Sequence, residues 1–262
     1  MKDLEQRKNW FSPVAAAYNK ARPSYPVQIV RRVVELARLS SDSIILEVGC
    51  GPGTATITFA QLGFSMQCIE PSQDFYEIAL RNCQQYPKIE INCTSFEEWE
   101  LETNRFDAVM AASAFHWISP DVAYSKAADA LKDNGFLILL WNMTPQIPYE
   151  IYQVLNEVYG TQAPPLTRYE TRETQEKILW GFGRNILKSG RFKGLMSENI
   201  LCKISYQVEV YLELLSTFSP YRNLPRSHRD SLFAGLRQVI QNHFGDYIQI
   251  SYLSAFHVAQ KI

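Results

Sequence analysis

The sequence predicts an α/β fold, a doubly wound and mostly parallel sheet with helices on both faces. Three observations carry this. Apolar runs of strand length recur at residues 44–46, 64–69, 89–93, 106–112 and 136–141. Segments with helical spacing separate several of them. The first run opens directly into a glycine turn, Gly49-Cys50-Gly51-Pro52-Gly53, followed by a helical stretch. Strands that alternate with helices become parallel neighbours, because a parallel pair needs a crossover connection.

The elements follow in order. After Pro26, residues 27–36 carry apolar side chains at helical spacing. Residues 44–46 read as a buried strand, and residues 54–60 as a helix that ends at Gly63. Residues 64–69 give the second strand. Pro71 or Ser72 opens a helix that runs to Cys83, and residues 89–93 form a short third strand. Residues 106–112 form the fourth. Ser119 as N-cap and Pro120 at the first helical position start a helix that reaches about Leu131 and stops at Asp133-Asn134-Gly135. Residues 136–141 are a nearly continuous apolar strand. Beyond Asn142 the rhythm changes. Residues 145–195 hold Pro145, Pro148, Pro164 and Pro165 among many aromatics, and are expected to be a mainly helical insertion over the strand ends. Residues 198–207 read as a strand, 208–216 and 225–242 as helices, and 247–260 as a last, antiparallel strand.

At 262 residues the chain is long enough for one large domain with a full core. The expected division is a helical cover over 1–40, a cofactor-binding core over 41–143, a helical cap over 144–195 and completion of the sheet over 196–262. A net charge of −1 argues against a general nucleic-acid surface. No apolar run reaches a membrane span, and the opening residues 1–8 lack a signal-peptide core, so a cytoplasmic location is expected. Five cysteines without C-x-x-C spacing read as reduced core thiols. The four histidines are scattered, which gives no metal site.

The glycine turn carries the chemistry. A strand, a glycine turn and a helix present backbone N–H groups to a bound cofactor. Glu70 ends the next apolar run, nineteen residues after Gly51, a spacing that suits a carboxylate gripping two ribose hydroxyls. A nicotinamide fingerprint needs G-x-G-x-x-G, whereas here the third glycine comes one residue early and Glu47 stands two residues before the first. A pyrophosphate would be repelled by a carboxylate at that mouth, and a cationic cofactor end attracted. The stretch from Glu47 to Gly53 resembles motif I of the class I S-adenosylmethionine-dependent methyltransferases, E/D-x-G-x-G-x-G. Tyr18-Asn19-Lys20-Ala21-Arg22-Pro23-Ser24-Tyr25-Pro26 resembles the Y-x-x-x-R-P-x-Y-P element of their small-molecule, type 11-like branch.

The resemblance implies a Rossmann-like, seven-stranded sheet with an antiparallel last strand, S-adenosylmethionine as cofactor, and methyl transfer to a small-molecule acceptor. It also implies roles. Glu47 supports the methionine end and Glu70 binds ribose. Ser95 and Phe96, after the third strand, flank adenine. Tyr18 and Arg22 fold over the cofactor, with Arg22 suited to its carboxylate. Gly49, Gly51, Gly53, Pro71 and Ala112 lie at strand ends, where ligands bind in such folds. His116 and Trp117 follow the fourth strand and are expected at the acceptor together with Trp141 and Tyr149. His116 is also the one candidate for a general base, although its aromatic neighbours favour a shaped wall. Two other readings stay open on the sequence, a cofactor-binding sensor without activity and a nicotinamide-dependent oxidoreductase.

Overall fold

The computed structural model describes residues 4–262, leaving aside the side chain of Arg7. The first three residues of the stretch read above as lacking a signal-peptide core lie outside the described residues. Seven strands form one sheet: β1 (Ile44–Val48), β2 (Ser65–Ile69), β3 (Ile89–Asn92), β4 (Phe106–Ala112), β5 (Leu131–Asn142), β6 (Phe192–Gln207) and β7 (Tyr247–Lys261). Their order is β3-β2-β1-β4-β5-β7-β6. Strands β1 to β5 are parallel, and β7 is antiparallel to both β5 and β6. The parallel core and antiparallel last strand are those expected from the sequence.

The helices are α1 (Leu4–Lys8), α2 (Ala15–Ala21), α3 (Val27–Leu36), α4 (Thr54–Ala60), α5 (Gln73–Cys83), α6 (Pro120–Ala130), α7 (Tyr149–Gln162), α8 (Arg172–Lys188), α9 (Val208–Ser216), α10 (Ser219–Arg222) and α11 (Arg226–Phe244). The apolar run of β5 is buried on both faces because each face has its own helices. Leu137, Leu139 and Trp141 join the core beneath α6 and α8, while Phe136, Ile138 and Leu140 join the core beneath α3, α4 and α5.

Three expectations shift in detail. β5 starts at Leu131 rather than Phe136, with a register shift against β4 where Asn134 takes a left-handed φ of 64°. Ser119 holds the N-cap position of α6, but its side chain makes no capping bond. Residues 144–195 are mainly helical, as expected, yet α8 packs on β6 and β7 instead of lying over the strand ends. Topology explains it. β6 runs parallel to β5, since both are antiparallel to β7, so the chain between them must cross over and α8 is the crossover helix. Helices α7, α9 and α11 form a third core with Ile248 and Ile250 of β7, built on Leu155, Tyr159, Leu212, Leu215, Leu232, Leu236 and Ile240. Burying each leucine there stabilises the fold by about 1.5–3 kcal/mol. This third core anchors the N-terminal segment, for Ala21 packs into it and the Tyr206 hydroxyl donates to the Ala21 carbonyl at 2.7 Å.

Candidate cofactor site

The glycine turn follows β1 at the point where strand order reverses, between β2-β1 on one side and β4-β5 on the other. Gly49 and Cys50 both donate backbone N–H groups to the Ile69 carbonyl, at 2.8 and 3.1 Å, which ties the turn to the end of β2. Gly49 has φ 68°, a left-handed conformation, and a Cβ there would stand 2.7 Å from the Ala114 Cβ. Only glycine satisfies both conditions. The corner after β4 thus presses directly on the turn after β1.

The two acids occupy different places. Glu70 accepts the Gly51 N–H on Oε2 and the Ser72 N–H on Oε1, both at 2.8 Å. It lines the cavity, and burial pushes its pKa up to about 7 against the pull of those two bonds. Each oxygen keeps a further lone pair for a hydroxyl donor. Glu47 lies below the turn and does not reach the cavity wall. It is fully buried, accepts the Thr56 hydroxyl at 2.5 Å, and has no partner for Oε1. Burial pushes it up to about 8, so it is mostly a neutral acid at pH 7. The reason for its position is strand parity: Glu47 pairs in register with Cys68, and Thr56 and Cys68 both contact its carboxyl.

The cavity encloses about 1180 Å³ together with its mouth. The glycine turn, Glu70, Pro71, Ser95, Phe96, Ala112 and Trp117 form its floor and walls, joined by Phe75, Ile118 and Asn142. The N-terminal segment supplies the roof through Leu4, Lys8, Trp10, Phe11, Tyr18 and Arg22. Rings of Phe11 and Tyr18 pack on Phe75 at 6.0 and 5.1 Å, and Phe11 meets Trp117 edge-on at 5.9 Å. Lys8 pairs with Glu98 at 3.0 Å, and Glu98 in turn accepts the Ser95 hydroxyl at 2.8 Å. Arg22 is fastened from behind. Its Nε donates to Thr217 Oγ1 at 2.8 Å, one Nη donates to the Thr217 carbonyl at 3.2 Å, and its guanidinium lies 3.7 Å over the Phe218 ring. Burial lowers its pKa from the ordinary arginine value.

Of the residues expected at the site, Tyr18, Arg22, Gly49, Gly51, Glu70, Pro71, Ser95, Phe96, Ala112 and Trp117 converge on the cavity. Five stand apart. Glu47 lies under the turn, and Gly53 packs toward Cys83 at the start of α4. Trp141 is buried in the sheet core and stacks on Phe182 at 4.9 Å. Tyr149 is exposed and packs with Tyr152 and Tyr169. His116 is exposed although rings crowd it, with Phe182 stacked at 5.8 Å, and that crowding pulls its pKa below the ordinary histidine value. Sequence reasoning missed Trp10, Phe11 and Phe75, whose place depends on the path of the N-terminal segment. It also missed Asn142 and Ser72, which the strand-end rule was able to find.

Comparison with known proteins agrees with this geometry. A family model described as a methyltransferase domain matches residues 45–135. An uncharacterized methyltransferase of Schizosaccharomyces pombe is 24% identical over 260 residues, covering 96% of this chain and 97% of that protein. A solved structure of a proposed type II methyltransferase from Anaeromyxobacter dehalogenans has a TM-score of 0.68 at 18% identity, covering 91% of this chain and 97% of that one. Phosphoethanolamine N-methyltransferase 2 of Haemonchus contortus, solved with S-adenosylhomocysteine, has a TM-score of 0.54 at 17% identity, covering 98% of this chain and 58% of that one. Residues 45–135 are thus a methyltransferase domain of the class I S-adenosylmethionine-dependent type, and the chain as a whole shares the fold of the solved methyltransferases. Among the described residues, no helix is long and apolar enough to cross a membrane, and no group of side chains is arranged to hold a metal ion.

Proposed function

We propose that this chain transfers a methyl group from S-adenosylmethionine to a small-molecule acceptor. The observation that carries the reading is Glu70, a buried carboxylate held by two backbone N–H groups on the wall of a glycine-turn cavity. Glu70 would take the ribose hydroxyls, and the close approach at Gly49 and Gly51 would admit the cofactor to the backbone. Ser95, Phe96 and Phe75 would enclose the adenine. Arg22 would face the carboxylate end, with its orientation fixed by Thr217 and Phe218. The cofactor supplies an activated methyl on a sulfonium, so the protein's share is alignment and exclusion of water.

A small acceptor suits the roof. Trp10, Phe11, Tyr18 and Arg22 close over the cavity and leave room for a compact molecule more readily than for a folded chain. No histidine lines the cavity among the described residues, so the acceptor would present a lone pair without help from His116. Calorimetry with S-adenosylmethionine, S-adenosylhomocysteine and NAD tests the cofactor assignment. Binding of the first two and not of NAD is expected. A screen of small acids, phenols and amines for S-adenosylhomocysteine production then tests the acceptor class, and turnover with a protein or nucleic acid alone would reject it.

A further inference from the structure

The sheet order divides the cavity. Glu70 follows β2, Ser113 follows β4 and Asn142 ends β5. At the usual strand spacing, Ser113 lies about 10 Å from the ribose acid across the sheet and Asn142 about 14 Å. The nucleotide half of the proposed cofactor belongs to the β2 side. The part of the cavity over β4 and β5 takes the cofactor's methionine half toward Arg22 and, beside that, the second reactant.

Polar groups from three separate elements meet there. The Tyr25 hydroxyl and the Ser113 hydroxyl are 3.1 Å apart, and both residues line the cavity. Ser113 has φ 56°, a left-handed conformation that costs a non-glycine residue energy and often marks a working position. Asn142 reaches across to the extended chain before Tyr25, with Nδ2 donating to the carbonyls of Pro23 at 3.0 Å and Ser24 at 3.4 Å. Tyr25 is buried, and its hydroxyl has Ser113 as its hydrogen-bond partner. Two hydroxyls in contact use one hydrogen between them. Whichever donates, the other keeps a hydrogen to offer outward.

Resting on the function proposed above, we infer that the Tyr25–Ser113 pair positions the methyl acceptor by donating one hydrogen bond to it, and that Asn142 is a positioning residue that holds Tyr25 in place. The partner this pair fits is a small molecule with an oxygen or nitrogen lone pair at or beside the group to be methylated. Burial raises Tyr25 far above the ordinary tyrosine value, so the pair acts as a neutral donor and not as a base.

Three measurements test the inference. In a crystal structure with S-adenosylhomocysteine, Tyr25 Oη and Ser113 Oγ are expected clear of every cofactor atom and open to the space beside its sulfur. A hydrogen bond from either to the cofactor, or protein screening them from the sulfur, overturns the inference. In calorimetry, Tyr25→Phe and Ser113→Ala are expected to bind S-adenosylhomocysteine within about twofold of wild type, and a loss of about tenfold in either overturns it. With the acceptor identified by the screen, Tyr25→Phe is expected to lower kcat/KM about tenfold while the melting temperature stays close to wild type. Unchanged kcat/KM overturns it. Asn142→Ala is expected to mimic Tyr25→Phe, with the double variant no worse than Tyr25→Phe alone, and additive losses would remove Asn142 from the positioning role. If wild type fails to bind S-adenosylhomocysteine, the cofactor assignment falls and takes this inference with it. If wild type binds and the variants depart as stated, this inference falls alone.

Discussion

Glu70 accepts the backbone N–H of Gly51 at 2.8 Å, so the acid that follows β2 also shapes the turn that follows β1. The bond couples two parts of the proposed cofactor site. A change at Glu70 reaches the glycine turn as well as the ribose position.

Glu70→Gln is expected to weaken S-adenosylmethionine by about 1.5–3 kcal/mol, the range for hydrogen bonds to a charged group. Wild-type affinity is expected to depend on pH, because Glu70 titrates near about 7 and its ionised form is the better acceptor. Binding at pH 6 should be about tenfold weaker than at pH 8, with the Gln variant flatter across that range. Calorimetry at four pH values measures both, and an equally steep profile in the variant would reject Glu70 as the titrating group.

Glu47 makes a prediction about stability with an unusual sign. Its pKa is raised from 4.5 to about 8 in the fold, so the folded state binds more protons than the unfolded chain between those values. Stability is therefore greatest below about pH 4.5 as far as this group is concerned, and falls as pH rises toward 8, by at most about 1.4 kcal/mol per pH unit. Glu70 adds to the slope only up to about pH 7. Glu47→Gln keeps the fold's neutral side chain and removes the carboxylate that the unfolded chain ionises, so it should flatten the fall between pH 7 and 8 and leave the variant more stable than wild type at pH 7. Urea denaturation at pH 6, 7 and 8 decides it.

At Gly49, alanine would meet both a left-handed φ and the Ala114 Cβ at 2.7 Å. The backbone conformation alone costs about 1–2 kcal/mol. Gly49→Ala should lower the melting temperature and abolish measurable cofactor binding. A folded variant with wild-type affinity would show that the β4 corner gives way.

Arg22→Ala should weaken S-adenosylmethionine about tenfold or more, the range for a hydrogen bond to a charged group. Arg31→Ala, on the exposed face of α3, should not. Because Arg22 also fastens the roof to Thr217, amide exchange over residues 15–22 should quicken in the variant. Equal affinities in the two variants would remove Arg22 from the site.

The sequence made the site legible where its signals are local. The glycine turn and Glu70 follow from spacing along the β1–α4–β2 unit, and Ser95 and Ala112 from the ends of the next two strands. Glu47 shows where local reading ends. In a strand buried on both faces the apolar run has no alternation, so nothing in Ile44-Ile45-Leu46-Glu47-Val48 reveals which face the acid joins. Trp10 and Phe11 were not legible for another reason, because their contacts with Phe75, Trp117 and Arg222 span from 64 to 212 residues of sequence. The path of α8 was within reach, since the direction of β6 required a crossover.

The place of β7 has a consequence for synthesis. This strand lies between β5 and β6, and its residues 247–261 leave the ribosome after every other strand. Until they emerge, the apolar β5 has an open edge and β6 has no neighbour, a state prone to mispairing between nascent chains. The roof waits as well, because Arg22 and Ala21 are fastened by residues 206–218, made nearly two hundred positions later. The glycine turn is thus translated early but roofed late, once residues 206–218 have followed it out.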